Sequence, residues 1–421
     1  MLKKILPKSE FNRHVITLMT GSSIAQAIPI AISPILSRLY TPEDFGLFAL
    51  FMSVASIGSV IATARYELAI MLPKKDSDAI NVVALSIIIS VIMTIFSFLV
   101  VLIFNDQIVN LLGNNEISNW LYLIPVSILL TGTYRSFDYW CNRKKEYKTL
   151  SMNRVVKSGS SSMLNIGFAF NGSGGGGLIS ANLITQGIST FLLSKIIWKR
   201  DFTLLKYINK AKIIAMTKVH KKLPFFNLPN ALLDIMRMSG IDIFISRFFS
   251  TAILGQYSLA WRTVLTPMNI LGSSISQVLF QKIASTDRSK LNGLIKKFIL
   301  RASLVSAPIF IFIYLFAEDL FSFVFGKNWV LAGEAASVLT PWLFLNFISS
   351  PLSMVYIVVN KQETLLIFAF FYALVPLAVL FIFKDMDFIN VITILAFSMS
   401  AFLLMLILYI LHLTSKYVKL N

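Results

Sequence analysis

Apolar runs alternate with short, polar and mostly basic interruptions from one end of the chain to the other. Twelve runs stand out, at approximately 14–37, 45–64, 79–104, 117–140, 153–171, 177–197, 223–246, 255–281, 299–317, 334–358, 363–383 and 388–413. A helix of about 20 residues crosses a hydrocarbon core of about 30 Å. With no water in that core, each run must bond its backbone internally, which predicts helices rather than isolated strands. The expected fold is all-α and integral to the membrane, with about twelve transmembrane helices.

Two stretches punctuate this pattern. Ser37–Phe48 reads SRLYTPEDFGLF, Ser246–Tyr257 reads SRFFSTAILGQY, and the matching residues lie 209 positions apart. Each stretch closes one run and opens the next. The echo predicts two six-helix lobes, residues 1–198 and 223–421, related as parallel repeats and joined by a basic connector at 199–222. Charge placement sets the orientation. Of the 38 Lys and Arg residues, 30 fall in interruptions on one side of the alternation and 4 (Arg38, Arg247, Lys327 and Lys384) on the other. Cationic loops resist translocation, so both termini are expected in the cytoplasm, with an even number of spans. The connector mixes Leu204, Leu205, Ile208, Ile213 and Ile214 with many cations. It reads either as an amphipathic segment on the inner leaflet or as a solvated linker.

Composition narrows the function classes. Charged residues make up 14% of the 421 and hydrophobic residues 56%, whereas a soluble protein carries about 25% charged residues. The net charge of +18 does not mark a nucleic-acid partner here, because the cations are interleaved with membrane spans. The single cysteine, Cys141, excludes a disulfide framework. Ala25-Gln26-Ala27 resembles a signal-peptidase site behind Lys3, Lys4, Lys8 and Arg13. The run before it is broken by Thr17, Thr20, Gly21, Ser22 and Ser23 and continues past the site, which predicts an uncleaved first span. Asn171–Gly177 (NGSGGGG) lacks the Lys-Ser/Thr ending of a phosphate loop and is expected to be a flexible, hinge-like turn.

Ionisable residues inside the runs carry the candidate chemistry. Each costs about 2.5–3.5 kcal/mol at a bilayer centre on insertion scales, so it needs a cavity or a partner. The seventh run holds Asp234 and Arg237, spaced i, i+3 to pair on one face, with Asp242 further along. The fourth run ends on Arg135 and Asp138, also i, i+3. Lys157 lies one turn inside the fifth run and Arg262 two turns inside the eighth. Arg65 and Glu67 flank the inner end of the second run as an interfacial pair. Cations at these depths suit an anionic substrate, since Arg binds phosphate oxygens bidentately. Tyr134, Tyr139, Trp140 and Trp261 are placed either to stack on sugar rings or to anchor the interface. Arg237, Asp234 and Arg262 form the expected anion-handling core. His14, His220 and His412 lack metal-ligand spacing, and neither a nucleophile triad nor a nucleotide-binding loop occurs. The chain reads as a transporter rather than an enzyme, with no cofactor. Its energy source is expected to be a gradient, a partner or the substrate's own supply; H⁺ and Na⁺ are the candidate coupling ions, with Asp234 and Asp242 as candidate proton carriers on position.

Several segments resemble the polysaccharide-unit flippases (O-antigen and capsule translocases, Wzx type) of the multidrug/oligosaccharidyl-lipid/polysaccharide exporter superfamily. They are SRLYTPEDFG at Ser37–Gly46, RYELAIMLPKKDSDA at Arg65–Ala79, NRKKEYKTLSMNR at Asn142–Arg154, LPFFNLPNAL at Leu223–Leu232, the stretch Leu254–Ala284, and FGKNW at Phe325–Trp329. The Gly174–Ala181 turn departs from the family's usual Gly-Leu-Ile-x-Gly. The resemblance implies two lobes that open alternately inward and outward in the bacterial inner membrane. Its implied substrate is an undecaprenyl-pyrophosphate-linked oligosaccharide, moved to the periplasmic leaflet for lipopolysaccharide or capsule biosynthesis. A polysaccharide polymerase and a chain-length regulator are the implied partners. The rival readings are a multidrug/cation antiporter, which calls for an acidic cavity, and a membrane-embedded glycan polymerase or ligase, which calls for a large periplasmic loop. The longest outer loop expected here, about Glu318 to Gly333, is short and holds one cation, Lys327.

Overall fold

A computed structural model describes residues 10–359 and 361–419, and each apolar run becomes a helix in it. Lys3, Lys4 and Lys8 of the charge count lie outside the described residues. Among those residues, twelve helices reach 20 residues or more. They are α1 (Glu10–Leu39), α2 (Pro42–Ile61), α3 (Asp76–Leu112), α4 (Ile124–Arg143), α5 (Tyr147–Phe170) and α6 (Gly174–Asp201), then α7 (Leu228–Phe248), α8 (Thr251–Ala284), α9 (Arg288–Phe325), α10 (Val330–Leu352), α11 (Gln362–Ile382) and α12 (Phe388–Lys419). Seven (α2, α3, α6, α9, α10, α11 and α12) contain stretches long and apolar enough to cross a membrane, so this is a multi-pass membrane protein. The other five are interrupted by polar and charged side chains. Four of them, α4, α5, α7 and α8, hold the candidate residues Arg135, Asp138, Lys157, Asp234, Arg237, Asp242 and Arg262.

The repeated stretch has a local physical cause. Thr41 caps α2: its hydroxyl accepts from the Asp44 backbone N–H, and the Asp44 carboxylate accepts from the Thr41 N–H in return. Ser250, 209 positions on, caps α8 by accepting from the Ile253 N–H at 3.1 Å. Both satisfy donors that the first turn of a helix leaves unpaired. The third helix of each half also matches. In both α3 and α9 only 11% of the most apolar window is buried, so these helices turn broad apolar faces outward to lipid.

The chain divides into two compact units, one up to Ile243 and one from Phe244. In the first, α1 packs along α5, α3 against α4, and α6 against α2, α4 and α5. Gly21 permits the α1–α5 approach, since a Cβ there would lie 1.6 Å from Ser151 Oγ. In the second unit α10 is central, with α8, α9 and α12 around it and α11 against α12. Its core includes Leu279, Ile295, Leu352, Tyr356 and Ile410.

Two expectations are corrected. The glycine run is not a flexible turn. Gly174–Gly177 form the first turn of α6, and Gly175, Gly176 and Gly177 are buried. A Cβ on Gly176 would lie 2.0 Å from the Trp120 ring and one on Gly175 2.9 Å from the Asp44 carbonyl. Close packing, together with the positive φ of Gly172 and Gly174, explains the glycines. The connector, for its part, is neither lipid-bound throughout nor free. Leu204 and Leu205 pack on a protein core containing Ile70, Ile80, Val83 and Trp140. Asn81 donates to the Tyr207 carbonyl at 3.0 Å and accepts from the Asn209 N–H at 2.9 Å. Lys212 pairs with Asp78 at 3.0 Å. Ile208 and Ile214 remain exposed.

Candidate functional site

Polar side chains inside a membrane protein collect on the helix faces that turn away from lipid. In α1, Ser22, Gln26 and Pro29 are spaced i, i+4, i+7. In α5, Arg154, Lys157, Ser158 and Ser161 follow the same helical period, and α6 adds Asn182 and Thr185, i, i+3. With Tyr134 of α4 they line a cavity of about 400 Å³ inside the first unit. That size falls within the range of about 300–1,000 Å³ typical of small-ligand sites.

The hydrogen bonds around this cavity follow from the sequence. Pro29 has no N–H, so the Ala25 carbonyl one turn earlier loses its helical donor. The Ser158 hydroxyl donates to it at 2.6 Å and ties α5 to α1. Arg154 Nη1 donates to Ser22 Oγ at 2.7 Å, and its Nη2 lies 3.8 Å from Asp138 Oδ1. The Lys157 ammonium sits 4.9 Å from the centre of the Tyr134 ring, a distance at which the ring face attracts a cation. Asn153 donates to Ser189 at 2.8 Å. Asp138 Oδ1, Asn153 Oδ1 and Thr185 Oγ1 are buried without a hydrogen-bond partner. Buried polar atoms ordinarily find one. The lining itself carries the hydroxyls of Ser22, Ser158, Ser161 and Thr185 and the amides of Gln26 and Asn182, which suit a ligand rich in hydroxyl groups, whereas Asp138 and Asn153 lie outside that lining. Two cations facing one carboxylate leave it net positive, and Arg154 and Lys157 can each hold an anionic oxygen.

Of the residues singled out from sequence, Lys157 lies at this cavity, and Asp138 lies beside it through Arg154. Arg135 turns elsewhere, donating to the Ser59 carbonyl of α2 at 2.9 Å. Arg135 and Asp138 thus serve different neighbours despite their spacing. Asp234 and Arg237 pair at 3.1 Å, with the carboxylate side chain 77% exposed and the guanidinium 14%. Asp242 accepts from Ser53 Oγ of α2 at 2.7 Å. Arg65 and Glu67 pair at 3.6 Å, with the Glu67 side chain buried. Arg262 lies in the second unit, exposed on α8. Trp261 beside it in sequence stacks on Tyr257, with ring centres 6.0 Å apart, and meets Trp342 at 4.9 Å. Trp140 is buried and donates to Asp201 at 2.9 Å, so it is a packing residue and not a platform for sugars.

Sequence reasoning missed Arg154, Ser22, Gln26, Asn182 and Thr185. In the sequence Arg154 stands at the basic start of the fifth run, yet it lies two turns inside α5. The available signal was the polar stripe with helical period running through the first and fifth spans.

The sequence model of the family described as polysaccharide biosynthesis protein matches residues 35–333. No curated protein matches the chain. Among solved structures, the chain is similar to an inward-facing multidrug resistance MATE family transporter of the MOP superfamily. That likeness has 16% identity and a TM-score of 0.65, and covers 95% of this chain and 96% of the other. It is also similar to the lipid II flippase MurJ in an inward closed conformation, at 16% identity and a TM-score of 0.68 over 94% and 89%. A third is a MOP superfamily transporter from Pyrococcus furiosus with a binding pocket of reverse polarity, at 16% identity and a TM-score of 0.63 over 96% of each chain. At these identities the likeness establishes the MOP transporter fold. The matched stretch runs from the end of α1 to the start of α10, and the chain belongs to the polysaccharide biosynthesis protein family.

Proposed function

We propose that this protein is a flippase that carries a polyprenyl-pyrophosphate-linked oligosaccharide, the repeat unit of an O-antigen or capsule, across the bacterial cytoplasmic membrane by alternating access. The observation that carries the reading is the cavity bounded by α1, α4, α5 and α6. It pairs Arg154 and Lys157 with a wall of hydroxyl and amide groups. Phosphate oxygens are matched by the two cations, and sugar hydroxyls by Ser22, Gln26, Asn182 and Thr185. The Tyr134 ring offers an apolar face for a sugar ring. Family membership supports a role in polysaccharide assembly, and the MOP fold supports transport. A cavity of net positive charge fits a multidrug cation exporter poorly.

In this proposal all twelve helices span the membrane, in two lobes of six with both termini cytoplasmic, and an H⁺ or Na⁺ gradient drives the cycle. Arg237 and Arg262 are each proposed to meet the anion at some stage of that cycle. Full transport by both Arg237→Ala and Arg262→Ala at normal membrane levels would remove them from it. Deleting the gene in its host tests the function itself. The expected outcome is loss of surface glycan, with single unpolymerised lipid-linked units held on the cytoplasmic leaflet. Units on the periplasmic leaflet would instead indicate a polymerase. Normal glycan with new drug sensitivity would indicate a drug exporter.

A further inference from the structure

A second cavity lies wholly within the second unit, between the end of α8 and the start of α9. It measures about 430 Å³ and is lined by Ile275, Leu279 and Lys282 of α8 and by Leu294, Lys297, Phe298 and Arg301 of α9. Both contributions are regular stripes, i, i+4, i+7 on α8 and i, i+3, i+4, i+7 on α9. Four apolar side chains therefore form its walls, and three cations share its lining with no acid among them.

Among the described residues, no ion pair or side-chain hydrogen bond holds Lys282, Lys297 or Arg301. Asp287, the acid of the connecting turn, pairs with Lys290 instead, at 3.8 Å. All three cations are exposed, so the lining carries positive charge that no described ion pair neutralises. From Arg301 the same helix continues into Leu304 and Val305, both exposed and part of the outward apolar face of α9. The α9 side of the pocket is thus followed, one turn beyond Arg301, by exposed apolar surface.

We propose that this pocket binds an anionic phospholipid of the leaflet on the side of the α8–α9 turn. Its phosphate would sit among Lys282, Lys297 and Arg301, with an acyl chain along Ile275, Leu279, Leu294 and Phe298. Charge complementarity selects an anionic headgroup over a zwitterionic one, and the apolar walls select a lipid over a soluble phosphate. The site is separate from the cavity of the first unit and does not depend on the transport reading.

Native mass spectrometry of the full-length protein, exchanged into mixed phosphatidylglycerol and phosphatidylcholine, tests this. The wild type is expected to retain phosphatidylglycerol preferentially. The variant Lys282→Gln/Lys297→Gln/Arg301→Gln is expected to lose that preference by roughly tenfold or more, at roughly fivefold per charge with partial screening. The control Lys296→Gln/Lys361→Gln/Lys416→Gln removes the same charge from the same unit at residues outside the pocket lining and should retain the preference. Because the replaced side chains are exposed, folding is expected to survive, and an unchanged thermal unfolding midpoint would show it. A separate variant, Leu279→Trp, fills the pocket with every charge kept and should also reduce retention. Equal retention by wild type and triple variant, or equal loss in the control, would overturn the proposal. Displacement of phosphatidylglycerol by substoichiometric polyprenyl pyrophosphate would overturn it too, by making this a substrate-loading site.

Discussion

Replacing Arg154 by Gln removes one of the two cations at the first-unit cavity and separates its two possible roles. Arg154 donates to Ser22 at 2.7 Å and lies 3.8 Å from Asp138, with its own side chain 35% exposed. At that separation the gross attraction is about 4 kcal/mol for an effective dielectric constant of about 20. Partial exposure and the cost of dehydration reduce the net contribution to stability to about 1 kcal/mol. A charged hydrogen bond to a phosphate oxygen is worth about 1.5–3 kcal/mol, so transport should fall by roughly ten- to a hundredfold at equal membrane levels. The double variant Arg154→Gln/Asp138→Asn distinguishes the roles. If Arg154 binds substrate, the double variant regains thermal stability while surface glycan in the complemented null strain stays low. If Arg154 only neutralises Asp138, the double variant regains both, and that result would refute the reasoning.

Other variants probe the frame around the cavity. Gly21→Val should drive α1 from α5, lowering the thermal unfolding midpoint at a cost of about 1–3 kcal/mol. Ser151→Gly in the same chain should restore part of that loss, because Ser151 supplies the clash. Ser158→Ala leaves the Ala25 carbonyl beside Pro29 without a donor and should destabilise by about 1–3 kcal/mol in the same assay, whereas Ser158→Thr should not. Asn81→Ala removes both hydrogen bonds that hold residues 207–209. Protease cleavage between residues 207 and 222 in inside-out vesicles should then quicken several-fold, and right-side-out spheroplasts should stay uncut if the connector is cytoplasmic.

Much of the helical layout was legible because lipid leaves the backbone one solution at each long apolar run. The 209-residue echo was equally readable, and Thr41 and Ser250 give it a cause in helix capping. The candidate cavity was harder to see. Its lining comes from four helices, and residues such as Ser22 and Ser158 look like ordinary interruptions until α1 and α5 face each other. Arg154 was not singled out, because loop charge and cavity charge are the same residue type, and only depth tells them apart. The partner of Arg135 was unreadable for a related reason. Its spacing permits Asp138, but the Ser59 carbonyl on α2 is a long-range neighbour. In the glycine run, composition implied freedom, whereas Trp120 and Asp44 use those positions for close contact.

The most direct test of the central claim is leaflet transfer in proteoliposomes. Purified protein would be reconstituted with a fluorescent polyprenyl-pyrophosphate-linked oligosaccharide, with an ion gradient imposed across the vesicle wall. A membrane-impermeant quencher then reports how much label is exposed. The account predicts that the protected pool becomes exposed with the wild type and remains protected with Arg154→Gln/Lys157→Gln. A protected pool that persists with the wild type, or that is exposed equally by both proteins, would contradict it.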